Sequence, residues 1–253
     1  MMTQPAPKDG ISIVIPSYNE SSRIGATLSA IRAYAEQNLA DWEIIVVDDG
    51  SSDNTADVAR STIPDSQRLV VVSNPGNRGK GFSTKNGCAH ARFPYVLMSD
   101  ADLSTPIEEL EKLAVHAAPD TVVIASRGMA GSNLEVRQPL YRELMGRVFN
   151  LMVRIFVIGG ISDTQCGFKL FGPEVVRNLM PLLQTDRFAF DVEILARARQ
   201  MGYPIHEVPV RWRNDDRTRV SALSDSAGMF MDMLAVRRMV NRSPGPAKPG
   251  SDN

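Results

Sequence analysis

The chain has 253 residues, 43% of them hydrophobic, and sets 28 Lys and Arg against 29 Asp and Glu for a formal net charge of -1. That length and apolar content support a packed core of one large or two small domains. The balanced charge excludes a global field drawing the chain to nucleic acid or anionic lipid, so any such surface must be a local patch. Cys88 and Cys166 are too few for a disulfide framework; with no signal peptide ahead of them they read as buried thiols of a cytoplasmic protein. No apolar run reaches the roughly 18 to 20 residues of a transmembrane helix.

Residues 1–9 form a polar leader, and residues 243–253 hold Pro244, Gly245, Pro246, Pro249 and Gly250. Both are predicted to be disordered, flanking a single catalytic domain over 10–242. Residues 11–15, 42–47, 69–72, 95–98 and 122–125 are short continuous apolar runs, separated by stretches of helical length and pattern. The alternation predicts an α/β fold with a mostly parallel sheet and helices on both faces. Ser21 and Asn54 stand at helix starts, and Ile24, Leu28 and Ile31 recur at helical spacing.

In such sheets ligands bind beyond the carboxyl ends of the strands, and the polar signals fall there. Pro16-Ser17-Tyr18-Asn19-Glu20 follows the first run, Asp48-Asp49-Gly50-Ser51 the second and Asn77-Arg78-Gly79-Lys80-Gly81 the third. The fourth ends in Ser99-Asp100-Ala101-Asp102. If the strand continues through Ser99, Asp100 and Asp102 point the same way, because strand side chains alternate. Such a pair suits a hard divalent cation otherwise held by water and a diphosphate. The bland alternative is a cap for the next helix, with Ser104 or Thr105 before Pro106 and Glu108 at its start.

Tyr18 can stack on a base, and Glu20 and Asp49 can accept hydrogen bonds from base N–H or ribose hydroxyls, which describes a nucleotide. Lys80 can meet a phosphate, but the full phosphate-loop spacing and a Gly-x-Gly-x-x-Gly run are both missing, so ATPase and dinucleotide readings fail. A nucleoside diphosphate with a group attached beyond it remains.

The second half is less regular. Arg127 closes the fifth strand. Residues 144–161 carry Leu144, Met145, Val148, Phe149, Leu151, Met152, Ile155 and Phe156 on a broad apolar arc, with Arg147 and Arg154 as its charges. This is either a core helix or a basic amphipathic helix on a bilayer. Asp163-Thr164-Gln165-Cys166-Gly167-Phe168-Lys169 and Phe190-Asp191-Val192-Glu193 place carboxylates and a lysine beside aromatics. Asp191 and Glu193 share a face on a strand and diverge on a helix, so at most one reaches a reaction centre. Arg211, Arg213, Arg217 and Arg219 form either solvated surface or an anion site ahead of a helix at about 224–240.

On these motifs the chain resembles the family 2 inverting glycosyltransferases of the GT-A fold, and within them the polyprenyl (dolichyl) phosphate glucosyl- and mannosyltransferases. The stretches Val14 to Glu20, Val47 to Ser51, Asn77 to Gly81 and Asp100 to Asp102 mark the family at large. Residues 163–169 and 190–193 look like the glucosyl branch, which implies UDP-glucose as donor, with GDP-mannose the alternative. The resemblance implies that Pro16, Tyr18, Glu20, Val47 and Asp49 hold the nucleoside. It places Lys80 and Ala101 along the donor, and Asp100 and Asp102 on Mg2+ or Mn2+. Ser104 stands where related mannosyltransferases carry a Gln ligand, and Thr218-Arg219-Val220 replaces a frequent Ser-Lys-Val.

A lipid phosphate acceptor is already anionic and needs no general base; Arg127, Lys169 and Arg219 would then bring the two anions together. A hydroxyl acceptor needs a base, with Asp191 the first choice. A polyprenyl phosphate acceptor further implies peripheral attachment at the cytoplasmic membrane surface. An inactive nucleotide-sugar binding module is the remote alternative, and intact Asp100, Asp102 and Lys80 argue against it.

Overall fold

The computed structural model describes residues 9–136, 140–187, 189–214 and 224–242. Nearly all of the predicted leader, the whole tail, Arg217, Arg219 and the side chains of Leu144 and Arg147 lie outside the described residues.

The chain runs β1 (Ile11–Ser17), α1 (Ile24–Asn38), β2 (Trp42–Asp48), α2 (Thr55–Thr62), β3 (Leu69–Ser73), α3 (Lys80–Ala89) and β4 (Tyr95–Met98). A short 3-10 turn, Ile107–Glu109, leads into α4 (Leu110–Ala114), then β5 (Val122–Ser126), β6 (Asn133–Val136) and α5 (Leu140–Phe156). The chain continues with β7 (Lys169–Phe171), α6 (Pro173–Asn178), α7 (Phe190–Gln200), β8 (Ile205–Pro209), β9 (Arg211–Arg213) and α8 (Ser224–Arg242). All five apolar runs are strands.

The main sheet has the order β3-β2-β1-β4-β7-β5-β8, with β6 and β9 pairing separately. Ile11 lies opposite Trp42 on one side and Tyr95 on the other, both in parallel register. One strand runs against the rest: β7 is antiparallel to both β4 and β5, with Lys169 opposite Met98 and Ile124. Sequence pattern misses β7 because it is three residues long and begins with a charge. The strand order reverses between β1 and β4, which opens a crevice at their carboxyl ends.

Alternation along the strands divides the core into two layers. Ile11, Ile13, Ile15, Ile44, Val46 and Leu97 pack with Ile24, Leu28 and Ile31 of α1, Ala59 of α2 and Leu110 and Leu113 of α4. Val14, Val47, Val96, Met98 and Ile124 pack with residues of α3, α5, α6, α7 and α8.

In α5, Phe149 and Val153 are buried in that second layer. Phe149 therefore belongs to the core, in line with the core-helix alternative, and is not available to a bilayer. Val148, Leu151 and Ile155, spaced i, i+3 and i+7, are exposed on the outer side, Leu151 by 52% and Ile155 by 65%. The helix is thus apolar on two sides. No helix of the described residues is long and apolar enough to cross a membrane.

Candidate active site

The first three loops are knitted together at the crevice. Asn19, in the left-handed region at φ 54, accepts the N–H of Ser52 and of Asp53 on its Oδ1, and its own N–H donates to Ser51 Oγ. Such a conformation is uncommon outside glycine, with Asn among the residues that tolerate it. The turn leaves Tyr18 40% exposed at the rim, with its ring free of the core. The Glu20 carboxylate pairs with Arg23, a partner the sequence did not suggest. Asp49 is buried and accepts from Asn74 Nδ2 at 2.7 Å, Arg78 N–H at 3.0 Å and Gly79 N–H at 2.7 Å. Three of a carboxylate's roughly four acceptor positions thus hold the loop after β3, which leaves about one for a ligand. Pro16 and Val47 face each other across β1 and β2; the Val47 side chain is packed in the core.

The first backbone N–H groups inside α3 are already engaged. Gly81 and Phe82 donate their N–H groups to the Asp186 carbonyl at 2.8 and 3.1 Å. A Cβ on Gly81 would lie 2.2 Å from the Thr185 carbonyl oxygen, so this segment sits directly on the helix start. The Lys80 side chain reaches Asp100 Oδ1 at 2.5 Å instead. Burial acts to lower its pKa, but Asp100, Asp191 and Asp102 outweigh burial and hold Lys80 above the ordinary lysine value as an ammonium.

Ser99 continues the strand pairing through a bond to the Val14 carbonyl, and the chain then turns. Leu103 N–H bonds the Asp100 carbonyl with Leu103 at φ 49, and Asp102 Oδ1 accepts the Ser104 N–H at 2.9 Å. Asp100 and Asp102 therefore stand in a turn, which corrects their expected place on one strand face; the ladder ends because the chain must swing towards the 3-10 turn. Pro106, without a side-chain cap, precedes that turn, so Ser104 and Thr105 do not start the helix. Ala101 is buried, and its carbonyl accepts Thr27 Oγ1. Burial first, and then the Asp100 charge, push the Asp102 carboxyl above the ordinary carboxylate range.

Behind the turn, Asp191 lies in the first turn of α7 and Lys169 opens β7. Lys169 is fully buried and donates to Asp191 Oδ1 and to the Cys166 carbonyl. It can act on a bound group only through Asp191. Burial raises the Asp191 carboxyl, and Lys169 and Lys80 only partly offset it. Glu193 points elsewhere, as helical geometry requires, accepting the Gln184 and Thr185 N–H groups and pairing with Arg197.

Arg127 holds Asp163 through Nε at 2.6 Å and a terminal nitrogen at 2.9 Å, under the ring of Trp212 at 5.4 Å from its centroid. Trp212 and Asp163 as partners of Arg127 were not legible from spacing. Arg211 pairs with Glu109, so it is not part of an open anion cluster, and Arg219 lies outside the described residues.

Lys80, Asp100, Asp102, Lys169 and Asp191 thus converge: three carboxylates against two ammonium groups. Among the described residues no group of three or more His, Cys, Asp and Glu forms a ready metal cage. Asp100 and Asp102 do supply two hard oxygen donors and an uncompensated negative charge, which fits Mg2+ or Mn2+ completed by water and a diphosphate.

The chain matches the family model described as Glycosyl transferase family 2 over residues 12–180. It is 35% identical over 240 residues to the dolichyl-phosphate beta-glucosyltransferase of Dictyostelium discoideum, covering 90% of this chain and 73% of that one. The Saccharomyces cerevisiae enzyme of the same name is 34% identical over 246 residues, covering 90% and 74%. In fold, the chain superimposes with a TM-score of 0.67 on glucosyl-3-phosphoglycerate synthase from Mycobacterium tuberculosis, crystallised with Mn2+, UDP-glucose and glycerol 3-phosphate. That match covers 96% of this chain and 82% of that one at 21% identity. The TM-score is 0.62 for a mannosyltransferase from Pyrobaculum calidifontis in complex with GDP-Man and Mn2+, at 21% identity over 97% of this chain and 68% of that one. With its mostly parallel sheet, its crevice at the β1–β4 reversal and the aspartate turn at its floor, the chain has the GT-A fold and belongs to glycosyl transferase family 2.

Proposed function

We propose that the protein transfers glucose, with inversion, from UDP-glucose to a dolichyl or other polyprenyl phosphate at the cytoplasmic face of a membrane. The observation that carries this reading is likeness along nearly the whole chain to enzymes named for that reaction, 34% and 35% identical over 90% of its length. The crevice supplies matching chemistry. Tyr18 offers a ring for the base, and Asp49 keeps about one acceptor position for the nucleoside. Asp100 and Asp102 would hold Mg2+ or Mn2+, which when bound neutralises charge on the leaving diphosphate. Lys80 keeps a fixed positive charge between Asp100 and Asp191, on the floor where the diphosphate would lie. Lys169 fixes one oxygen of Asp191. Arg127, oriented by Asp163 and Trp212, and Arg219 are the cations we assign to the acceptor phosphate.

The exposed row Val148, Leu151 and Ile155, with Phe156 beside it, supports docking of α5 on the bilayer from which a polyprenyl acceptor cannot depart without exposing its chain to water. A hydroxyl acceptor is the second reading, favoured by one observation: the Asp191 carboxyl is raised by burial, towards the range of a working base.

The test is transfer of labelled glucose in vesicles carrying polyprenyl phosphate, with calorimetric titration of UDP-glucose and GDP-mannose. Tighter UDP-glucose binding and labelled lipid are expected, and tighter GDP-mannose binding overturns the donor assignment. Joint Leu151→Ser and Ile155→Ser substitution should abolish vesicle association while leaving UDP-glucose affinity within about twofold, because both side chains already face water. Asp191→Asn takes the carboxylate from the fully buried Lys169 and should lower Tm, so the two acceptors are compared on this one variant. An equal loss with both is structural, and transfer to a hydroxyl acceptor lost about 100-fold more than transfer to the lipid phosphate would favour the hydroxyl acceptor.

A further inference from the structure

Residues 162–168 have no regular secondary structure, yet Asp163, Thr164, Cys166, Gly167 and Phe168 are all buried. Buried irregular backbone needs partners for its polar groups, and here they come mainly from side chains of other elements. Glu207 of β8 accepts the N–H groups of Ser162 and Asp163 at 2.9 and 2.8 Å. Asp163 accepts the Gln165 N–H, and Lys169 takes the Cys166 carbonyl. Thr164, itself fully buried, puts both its N–H and its hydroxyl on a single atom, Asn150 Oδ1 of α5, at 3.4 and 3.1 Å.

The segment seats the charged groups of the crevice. Gly167 lies against the Asp100 carboxylate so closely that a Cβ there would be 2.0 Å from Oδ2. Asp163 orients Arg127, and the segment leads into Lys169, the partner of Asp191. Asn150 sits between Phe149, in the core, and Leu151, on the exposed row. Its Oδ1 anchors the middle of the segment.

We infer that Asn150 is a positioning residue: by holding Thr164 it fixes residues 162–168 and, through Gly167, the Asp100 carboxylate, so that α5 is mechanically tied to the donor site. The inference rests on the reading of that site as the place where a nucleoside diphosphate and a divalent cation bind. An acceptor oxygen at position 150 is what matters, so Asn150→Asp should preserve the tie and Asn150→Leu, of similar size, should cut it.

The experiment compares wild type, Asn150→Asp and Asn150→Leu in the full chain by amide hydrogen exchange, by calorimetry of UDP binding with Mn2+, and by thermal melting. In Asn150→Leu, exchange at residues 162–168 should accelerate about tenfold or more and Mn2+-dependent UDP affinity should fall by about tenfold, the low end of what is expected when the two Thr164 donors lose their shared acceptor. Asn150→Asp should stay within about twofold of wild type on both readouts. Unchanged exchange in Asn150→Leu overturns the inference, and so does an equal loss in both variants. If wild type binds no UDP, the donor-site reading fails, while the exchange result still decides whether Asn150 holds the segment.

Discussion

Replacing Gly167 by Ala tests the floor of the site with a single methyl group. The new Cβ would lie 2.0 Å from Asp100 Oδ2, 2.3 Å from Cγ and 2.4 Å from Oδ1, where ordinary contact begins at 3.4 Å. The carboxylate must therefore retreat by about 1.4 Å or the loop must lift. Asp100 is a third exposed and can rotate, so the fold should survive. The lost contact is the Lys80–Asp100 pair, whose partners are 24% and 33% exposed; screening limits its contribution to about 1 kcal/mol. For a chain of this size that is a fall of about 2–4 °C in Tm. Catalysis should suffer far more, because misplacing a reacting group by about 1 Å costs on the order of 100-fold. Differential scanning fluorimetry and a glucose-transfer assay, run on the same preparation, separate the two effects. A variant with wild-type turnover would refute the idea that Gly167 seats Asp100, and a drop in Tm of 10 °C or more would mean that the loop itself had failed.

Asp102→Asn removes a carboxylate whose charged form is disfavoured by burial and by Asp100. It should leave Tm unchanged or slightly raised at neutral pH while weakening Mn2+-dependent UDP binding by about 100-fold; calorimetry that finds unaltered binding refutes its role. Burial raises the Asp163 carboxyl, but Arg127 and the bonds it makes more than offset this and hold it below its ordinary value. The stability this contributes is present above the ordinary value of 3.8 and disappears as pH falls through the lowered one. Asp163→Asn should therefore flatten the acid limb of a Tm–pH profile below about pH 4 and cost about 1–3 kcal/mol at pH 7 by stranding Arg127; superimposable acid limbs for wild type and variant would contradict the assignment.

The five apolar runs were legible because strands buried on both faces carry few polar residues, Ser12 and Glu43 being exceptions that bond each other at 2.6 Å, and the loop motifs because parallel strands send their carboxyl ends to one edge. The aspartate turn was not, since period-two alternation has no term for the αL residue Leu103 that swings Asp102 back. Neither was the real work of Asp49: the sequence displays a carboxylate next to Gly50 but not the three donors that converge on it from residues 74–79. Lys169 read as a cation for the acceptor phosphate because a lysine seldom lies fully buried, and the Asp191 that neutralises it is 22 residues away. The outer row of α5 was visible as excess apolar surface; that Phe149 turns inward depends on where the sheet lies, which no local pattern encodes.

The antiparallel β7 also bears on how the molecule can be divided. A cut after β5, at the end of the regular alternation, would seem to release a compact nucleotide-binding half. Between β4 and β5, however, that half would carry an open slot, two strand edges with their amides unsatisfied, and Asp100 would lose the backbone of Gly167 that seats it. The fragment would be prone to pair with other chains through those edges, and its aspartates would sit in a gap rather than in a floor. The two halves of this chain cannot be shuffled as separate modules, because β7, which completes the sheet between β4 and β5, is delivered by the second half.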